Sequence, residues 1–231
     1  MDSINVTQIA QMIDISAVRT DADLDEIKRV IEAARRHRFI CAFAMPCFTR
    51  VLKEGLKDEP DILVGGVVGF PSGADTTRIK VETAKELVET GVNELDMVIN
   101  VGALKSGEYD YVKQDIAAVV NTACGLPVKA ILEVAYLTDD EIRRACGLAV
   151  EAGVSYIKTG TGWANKPTTV DTIRLIRDTV GTSVAIKAAG GVRTLDTLLE
   201  MVEAGCSRFG IGINSAEKII EEAKTRGGNT I

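Results

Sequence analysis

The sequence predicts an α/β fold, a closed (β/α)8 barrel in a single domain, on three observations. Apolar, β-rich runs alternate with amphipathic helical stretches from one end of the chain to the other, with no linker between them. A helix end followed by a glycine and a strand recurs as Glu89-Thr90-Gly91-Val92, Glu151-Ala152-Gly153-Val154 and Glu203-Ala204-Gly205-Cys206, and glycine suits the left-handed position that ends many helices. The marks of the competing open, doubly wound sheet are missing: no G-x-G-x-x-G follows the first strand, Gly210-x-Gly212 lacks the third glycine, and no G-x-x-x-x-G-K-[ST] occurs.

Taken in order, the expected strands are Met12 to Ile15, Ile40 to Ala44, Leu63 to Val68, Glu94 to Asn100, Val128 to Val134, Ser155 to Lys158, Ser183 to Lys187 and Arg208 to Ile211. Each is a short aliphatic or β-branched run bounded by turn residues. Helices are expected near 24–37, 48–57, 75–90, 109–124, 139–152, 169–179, 195–204 and 215–225. Start signals support several of them. Asp21 and Asp23 precede the first, Thr138-Asp139-Asp140-Glu141 reads as a capping box, and Thr194 is an N-cap candidate. The domain is expected to span 1–231, with a frayed tail from about 224 to 231, where Gly227-Gly228-Asn229 stands.

With 231 residues, 46% hydrophobic but only 4% aromatic, the core must be mostly aliphatic. Net charge is −6 and the basic residues are scattered, which argues against a nucleic-acid partner. The first twenty residues lack the basic start and apolar run of a secretion signal, and no stretch approaches membrane-spanning length, so a cytoplasmic protein without a membrane partner is expected. Five cysteines with no C-x-x-C pair fit reduced thiols, and with His37 as the only histidine a histidine-rich zinc site is not expected.

The chemistry concentrates on two lysines. Lys158 ends Val154-Ser155-Tyr156-Ile157-Lys158 and Lys187 ends Ser183-Val184-Ala185-Ile186-Lys187, each running into a glycine-bearing loop. Burial disfavours an ammonium ion and a second ammonium nearby disfavours it further, so such a lysine becomes a neutral, nucleophilic amine. That chemistry serves imine formation with a carbonyl compound. Barrel active sites lie at the C-terminal ends of the strands, and Asp96, within Leu95-Asp96-Met97-Val98-Ile99, brings a carboxylate to the same cavity. Charges in such strands also suit a buried structural ion-pair network, or lysines that snorkel outward between helices.

These residues resemble the deoxyribose-phosphate aldolase family across nearly the whole chain. The blocks that carry the resemblance are Tyr156-Ile157-Lys158-Thr159-Gly160-Thr161-Gly162 and Ile186-Lys187-Ala188-Ala189-Gly190-Gly191-Val192-Arg193. Glu94-Leu95-Asp96-Met97-Val98, Val128 to Glu133, Gly69-Phe70-Pro71-Ser72-Gly73 and Leu137-Thr138-Asp139 support them. The resemblance implies a TIM barrel that reversibly splits 2-deoxyribose 5-phosphate into acetaldehyde and glyceraldehyde 3-phosphate, with no metal or organic cofactor. By position, Lys158 is similar to the imine-forming lysine, Lys187 to the lysine that lowers its pKa, and Asp96 to the carboxylate of the proton relay. Family members are often dimers, which implies a homo-oligomer.

A substrate phosphate needs its own site. Gly190 and Gly191 offer unhindered N–H groups near a helix entrance, and equally fit a tight turn. Thr161, Gly212, Asn214, Lys166 and Asp14 complete the candidate substrate-binding set. The chain departs from the family after the last strand, where Gly210-Ile211-Gly212-Ile213-Asn214-Ser215 offers fewer hydroxyls than the usual Gly-Thr-Ser-Ser-like loop. Gly160 replaces a serine, Asp14-Ile15-Ser16 replaces Asp-His-Thr, and Phe43-Ala44-Met45-Pro46 stands where a cysteine and an asparagine are frequent. A different or non-phosphorylated acceptor aldehyde is therefore the alternative, and an inactive barrel acting as a binding protein the third reading. Trp163 is expected to cover the pocket or to pack, and Glu133 to orient a lysine or to form a structural ion pair.

Overall fold

The computed structural model describes residues 5–227. Eight parallel strands close in sequence order, β1 (Ile13–Ala17), β2 (Cys41–Ala44), β3 (Leu63–Val68), β4 (Glu94–Val98), β5 (Val128–Ile131), β6 (Tyr156–Lys158), β7 (Ala185–Ala189) and β8 (Arg208–Gly212), with β8 pairing back onto β1. Around them run α1 (Val6–Ala10), α2 (Leu24–His37), α3 (Pro46–Gly55), α4 (Thr77–Thr90), α5 (Val101–Lys105), α6 (Tyr109–Thr122), α7 (Asp139–Glu151), α8 (Val170–Val180), α9 (Leu195–Glu203) and α10 (Ile213–Gly227). Every expected strand and helix is present, with ends moved by a few residues. Two short helices, α1 and α5, and a single 3-10 turn at Val134–Tyr136 were not foreseen, because five residues are too few to display a helical period. The last helix continues through Gly227, past the start of the expected fraying, because Ile219, Ile220 and Ala223 are buried against the barrel. The rest of the expected tail lies outside the described residues.

The caps follow the expected chemistry. Asp23 accepts from Glu26 N at 2.9 Å, Thr138 and Glu141 close a reciprocal capping box, and Thr194 caps α9 through Thr197 N at 3.3 Å. Gly91 ends α4 at φ +84°, a conformation that penalises a side chain.

The strand pleat divides the interior in two. In β4, Leu95 and Met97 join the large aliphatic core between sheet and helices, while Glu94 and Asp96 fall on the opposite face, inside the barrel. In β1, Ile13, Ile15 and Ala17 face the helices while Asp14 and Ser16 turn inward. The barrel lumen is thus charged, and the apolar core is the shell around it. Among the described residues, no helix is long and apolar enough to cross a membrane.

Candidate active site

Strand register brings the two lysines together. Lys158 and Lys187 are direct partners across β6 and β7, and Asp96 is the partner of Lys129 across β4 and β5. Asp96 Oδ2 accepts from Lys158 Nζ at 2.8 Å and from Lys187 Nζ at 2.6 Å. The sequence placed these three side chains in one cavity, and the structure does so through a single shared oxygen.

The lumen also holds ionisable groups to which the sequence reading assigned no part. Lys129 Nζ lies 2.5 Å from Glu94 and 3.1 Å from Asp96 Oδ1. Arg208 bonds Asp14 and reaches Glu94 at 2.9 Å, while Lys187 contacts Asp14 Oδ2 at 2.6 Å. Four cations (Lys129, Lys158, Lys187, Arg208) therefore face three carboxylates (Asp14, Glu94, Asp96), all in the lumen. Lys129, Lys187 and Arg208 each touch two carboxylates; Lys158 touches only Asp96. Lys158 is the least compensated cation of an unbalanced set. The signal that would have found the others is the period-two alternation itself, which puts Glu94 on the Asp96 face.

Electrostatics follow from this wiring. Burial pushes Lys158 down, Asp96 opposes it, and the Lys187 ammonium adds to the fall, leaving a pKa of about 8. Burial also opposes charge on Lys129, but Asp96, Glu94 and Asp14 overcome it and raise that lysine above its ordinary range. For Asp96, burial is outweighed by Lys129, Lys158 and Lys187, which hold the carboxyl well below the usual carboxylate range. Asp14 is likewise lowered, against its burial, by Lys187, Arg208 and Lys129.

A small chamber of about 30 Å³ sits over the lysines, with Asp14, Ser16, Phe43 and Gly210 among its walls. A side chain at Gly210 would crowd the lysines: a Cβ would lie 3.3 Å from Lys187 Cε and 3.1 Å from Ala189 Cβ. A second cavity of about 220 Å³ shares Ser16, Val18, Thr161 and Gly210 with it and extends to Gly190, Gly191, Arg193, Gly212 and Ser215. The loops after β6 and β7 are stitched together beneath it, Thr168 donating to Ala189 O at 2.8 Å and Thr168 N to Gly190 O at 2.9 Å. Trp163 closes one side, its indole N–H donating to Val18 O at 2.9 Å and its ring meeting Phe70 edge-on at 6.1 Å.

Of the remaining candidates, Gly190, Gly191, Thr161 and Gly212 line the larger cavity, and Asp14 lines the chamber as part of the ion network. Asn214 is not brought to the lysines: it accepts from Arg29 at 3.0 Å and lines a neighbouring cavity of about 300 Å³. Lys166 is exposed and lines none of these cavities, because its loop runs outward between Trp163 and Thr168. Glu133 contacts no lysine; it accepts from Thr161 N at 3.3 Å and from the Thr161 hydroxyl, and so anchors the loop after β6.

Among the described residues, Asp14, Cys41 and Glu94 are the one group of possible metal ligands whose donor atoms lie within 4.8 Å of one another. Arg208, Lys129 and Lys187 already occupy those carboxylates, and burial pushes the Cys41 thiol up, away from the thiolate a metal would need. The group does not suit a cation.

A closed parallel barrel with paired buried lysines on β6 and β7 sharing one carboxylate has the architecture of a barrel enzyme with its polar groups gathered in the lumen. The chain belongs to the DeoC/LacD family of aldolases, whose model matches residues 8–216. It is 44% identical over 223 residues to a deoxyribose-phosphate aldolase of Sinorhizobium medicae, covering 96% of this chain and 90% of that protein. With the deoxyribose-phosphate aldolase of Thermococcus kodakarensis it shares 43% identity over 222 residues, 95% of this chain and 98% of the relative. The tetrameric deoxyribose phosphate aldolase from Aeropyrum pernix superimposes with a TM-score of 0.87 at 26% identity, covering 96% of this chain and 93% of that one.

Proposed function

We propose that this protein is a class I aldolase that reversibly cleaves 2-deoxyribose 5-phosphate to acetaldehyde and glyceraldehyde 3-phosphate through an imine on Lys158. The observation that carries this reading is the surplus of one cation in a closed lumen, with Lys158 as the cation holding the fewest carboxylate contacts and a pKa of about 8. About a tenth of such an amine is neutral at pH 7, enough to attack a carbonyl.

Neutral Lys158 adds to the C1 carbonyl of the open-chain sugar, and loss of one water leaves a protonated imine, a stronger electron sink than the carbonyl. The C3 hydroxyl then gives up its proton, with a water as carrier, to the Asp96–Lys187 unit, whose nitrogen and oxygen lie 2.6 Å apart. The C2–C3 bond breaks, its electrons pass into the imine, and glyceraldehyde 3-phosphate departs. Protonation of the two-carbon enamine and hydrolysis release acetaldehyde and restore the amine. Lys187, held by Asp14 and Asp96, acts as the positive charge that keeps Lys158 neutral.

The glycine loop of Gly190 and Gly191, with Arg193 and Ser215 in the same cavity, supports a phosphate-bearing acceptor. One observation favours a less phosphate-dependent acceptor: Arg19, also at this cavity, already pairs with Glu26 and Asp21 at 2.9 Å. Borohydride reduction with acetaldehyde is expected to add one two-carbon group at Lys158, read by peptide mass, and Lys158→Ala to abolish cleavage. Normal turnover by that variant would end the assignment. Rates with glyceraldehyde and its 3-phosphate separate the two acceptor readings.

A further inference from the structure

The ion pairs of the lumen close into a ring. Arg208 donates to Asp14 Oδ1 at 2.9 Å, Asp14 Oδ2 meets Lys187 Nζ at 2.6 Å, and Lys187 Nζ meets Asp96 Oδ2 at 2.6 Å. Asp96 Oδ1 meets Lys129 Nζ at 3.1 Å, Lys129 Nζ meets Glu94 Oε1 at 2.5 Å, and that same oxygen returns to Arg208 at 2.9 Å. Three cations thus alternate with three carboxylates, and the ring is neutral. Lys158 hangs from Asp96 outside it, through a contact of 2.8 Å. Arg208 stands opposite Asp96, three contacts away by either route around the ring.

Arg208 opens β8 as the register partner of Lys187, is buried, and lines neither the chamber nor the larger cavity. Burial opposes its charge, but Asp14 and Glu94 overcome that, and a guanidinium keeps its proton inside a protein. The charged groups around it are Asp14 from β1, Glu94 from β4, Lys129 from β5 and Lys187 from β7. Burial pushes the Cys41 thiol of β2 up, which leaves it uncharged, and the Tyr156 ring of β6 lies 6.0 Å from the guanidinium. The charges acting on Lys158 are Asp96, Lys187 and Lys129. Without Arg208, two cations in the ring would face three carboxylates. The excess negative charge would then hold Lys158 as an ammonium, the remaining cation able to neutralise it.

We infer that Arg208 is a positioning residue for the reaction: by closing a neutral ring it engages Asp14 and Glu94 and leaves Lys158 as the cation free to give up its proton. The inference rests on the imine at Lys158 proposed above and adds the remote charge that readies the amine. It is tested by the pH dependence of reductive trapping with acetaldehyde, read as peptide mass at Lys158, in the parent, Arg208→Met, Arg208→Lys, Glu94→Gln and Arg208→Met/Glu94→Gln proteins. Arg208→Met is expected to raise the labelling midpoint by about one pH unit, the order of a unit charge acting across a site of effective dielectric about 20. Arg208→Lys, which keeps the charge, is expected to hold the midpoint at the parent's value. Glu94→Gln leaves three cations for two carboxylates in the ring and is expected to lower it by a similar amount, and the double variant, balanced again, to restore it. A purely structural role moves the melting temperatures of these proteins but not the order of their midpoints. Where Arg208→Met does not fold, Glu94→Gln reads the same balance with the opposite sign. A midpoint unmoved in either folded variant, or one that Arg208→Lys shifts as far as Arg208→Met does, overturns the inference and leaves the imine reading standing. An unlabelled parent protein overturns both.

Discussion

Two buried charge clusters share this barrel, and they are wired differently. Behind the sheet, Lys80 of α4 and Asp115 of α6 are both fully buried and 2.5 Å apart; Lys80 also donates to Val98 O at 3.0 Å, and Thr77 donates to Asp115 at 2.8 Å. One positive charge meets one negative charge, and the remaining polar atoms are satisfied. In the lumen, four cations meet three carboxylates. A balanced pair is a structural bolt, here seating the loop after β3 where Lys80 lies against Gly69. An unbalanced set must shed a proton or carry an uncompensated charge in a water-poor space. Both lysines are buried and each touches one carboxylate, but Lys80 has Asp115 to itself whereas Lys158 shares Asp96 with Lys129 and Lys187, so the two differ in the charge balance around them.

Removing the lysine from each cluster should move stability in opposite directions. Lys80→Met strands the Asp115 carboxylate and is expected to cost about 3–5 kcal/mol of stability. Lys158→Met should act with the opposite sign. The Lys158 pKa is depressed in the folded state, from 10.5 to about 8, so its penalty is fully present below about pH 8 and is relieved as pH rises from there to 10.5. Deleting it at pH 7 is expected to stabilise the fold by up to about 3 kcal/mol, while abolishing cleavage. Denaturant melts of both variants at pH 7 check the pair of signs, and a destabilised Lys158→Met would refute the surplus-cation account.

A smaller effect sharpens it. Lys187→Met removes the second cation, leaving three carboxylates for three cations, and the Lys158 pKa is expected to rise part of the way toward its ordinary value, with burial still holding it down. Each unit of that rise lowers the neutral fraction at pH 7 by about tenfold, and kcat/KM should fall accordingly and recover at alkaline pH. A loss that persists at pH 10 would mean that Lys187 serves the reaction in some way other than through charge. Smallest is the slope of the parent profile: below about pH 8, kcat/KM is expected to rise about tenfold per pH unit and then level off. That profile should not move in a mild variant of the other cluster, Thr77→Val, which loses one hydrogen bond to Asp115 but no charge.

The legibility of the two clusters in the sequence was also unequal. Lys158 and Lys187 stand out because each interrupts an aliphatic run shortly before a glycine-bearing loop; Lys158 closes β6, while β7 continues two residues past Lys187. Glu94 and Arg208 begin their strands, where a charge ordinarily points to solvent; the two-residue period shared with Asp96 is the one local mark on Glu94, and Arg208 has no charged neighbour in its strand to mark it. Lys80 sits in an amphipathic helix like any exposed lysine. Asn214 and Lys166 also follow strand ends in sequence, but Asn214 lies in the first turn of α10 bonded to Arg29, and Lys166 is exposed in the loop after β6.

The alternation of strands and helices, the caps and the two strand lysines are legible in the sequence alone, because hydrophobic period and turn chemistry act over a few residues at a time. Only the tertiary structure decided that Lys158 has one carboxylate partner while Lys187 has two, that Arg208 and Glu94 enter the same network, and that Phe43 walls the chamber. Those outcomes depend on register and barrel closure, which bring together residues up to 194 positions apart. Charge balance in a closed space is a sum over all of its walls, and no single segment of the chain contains that sum.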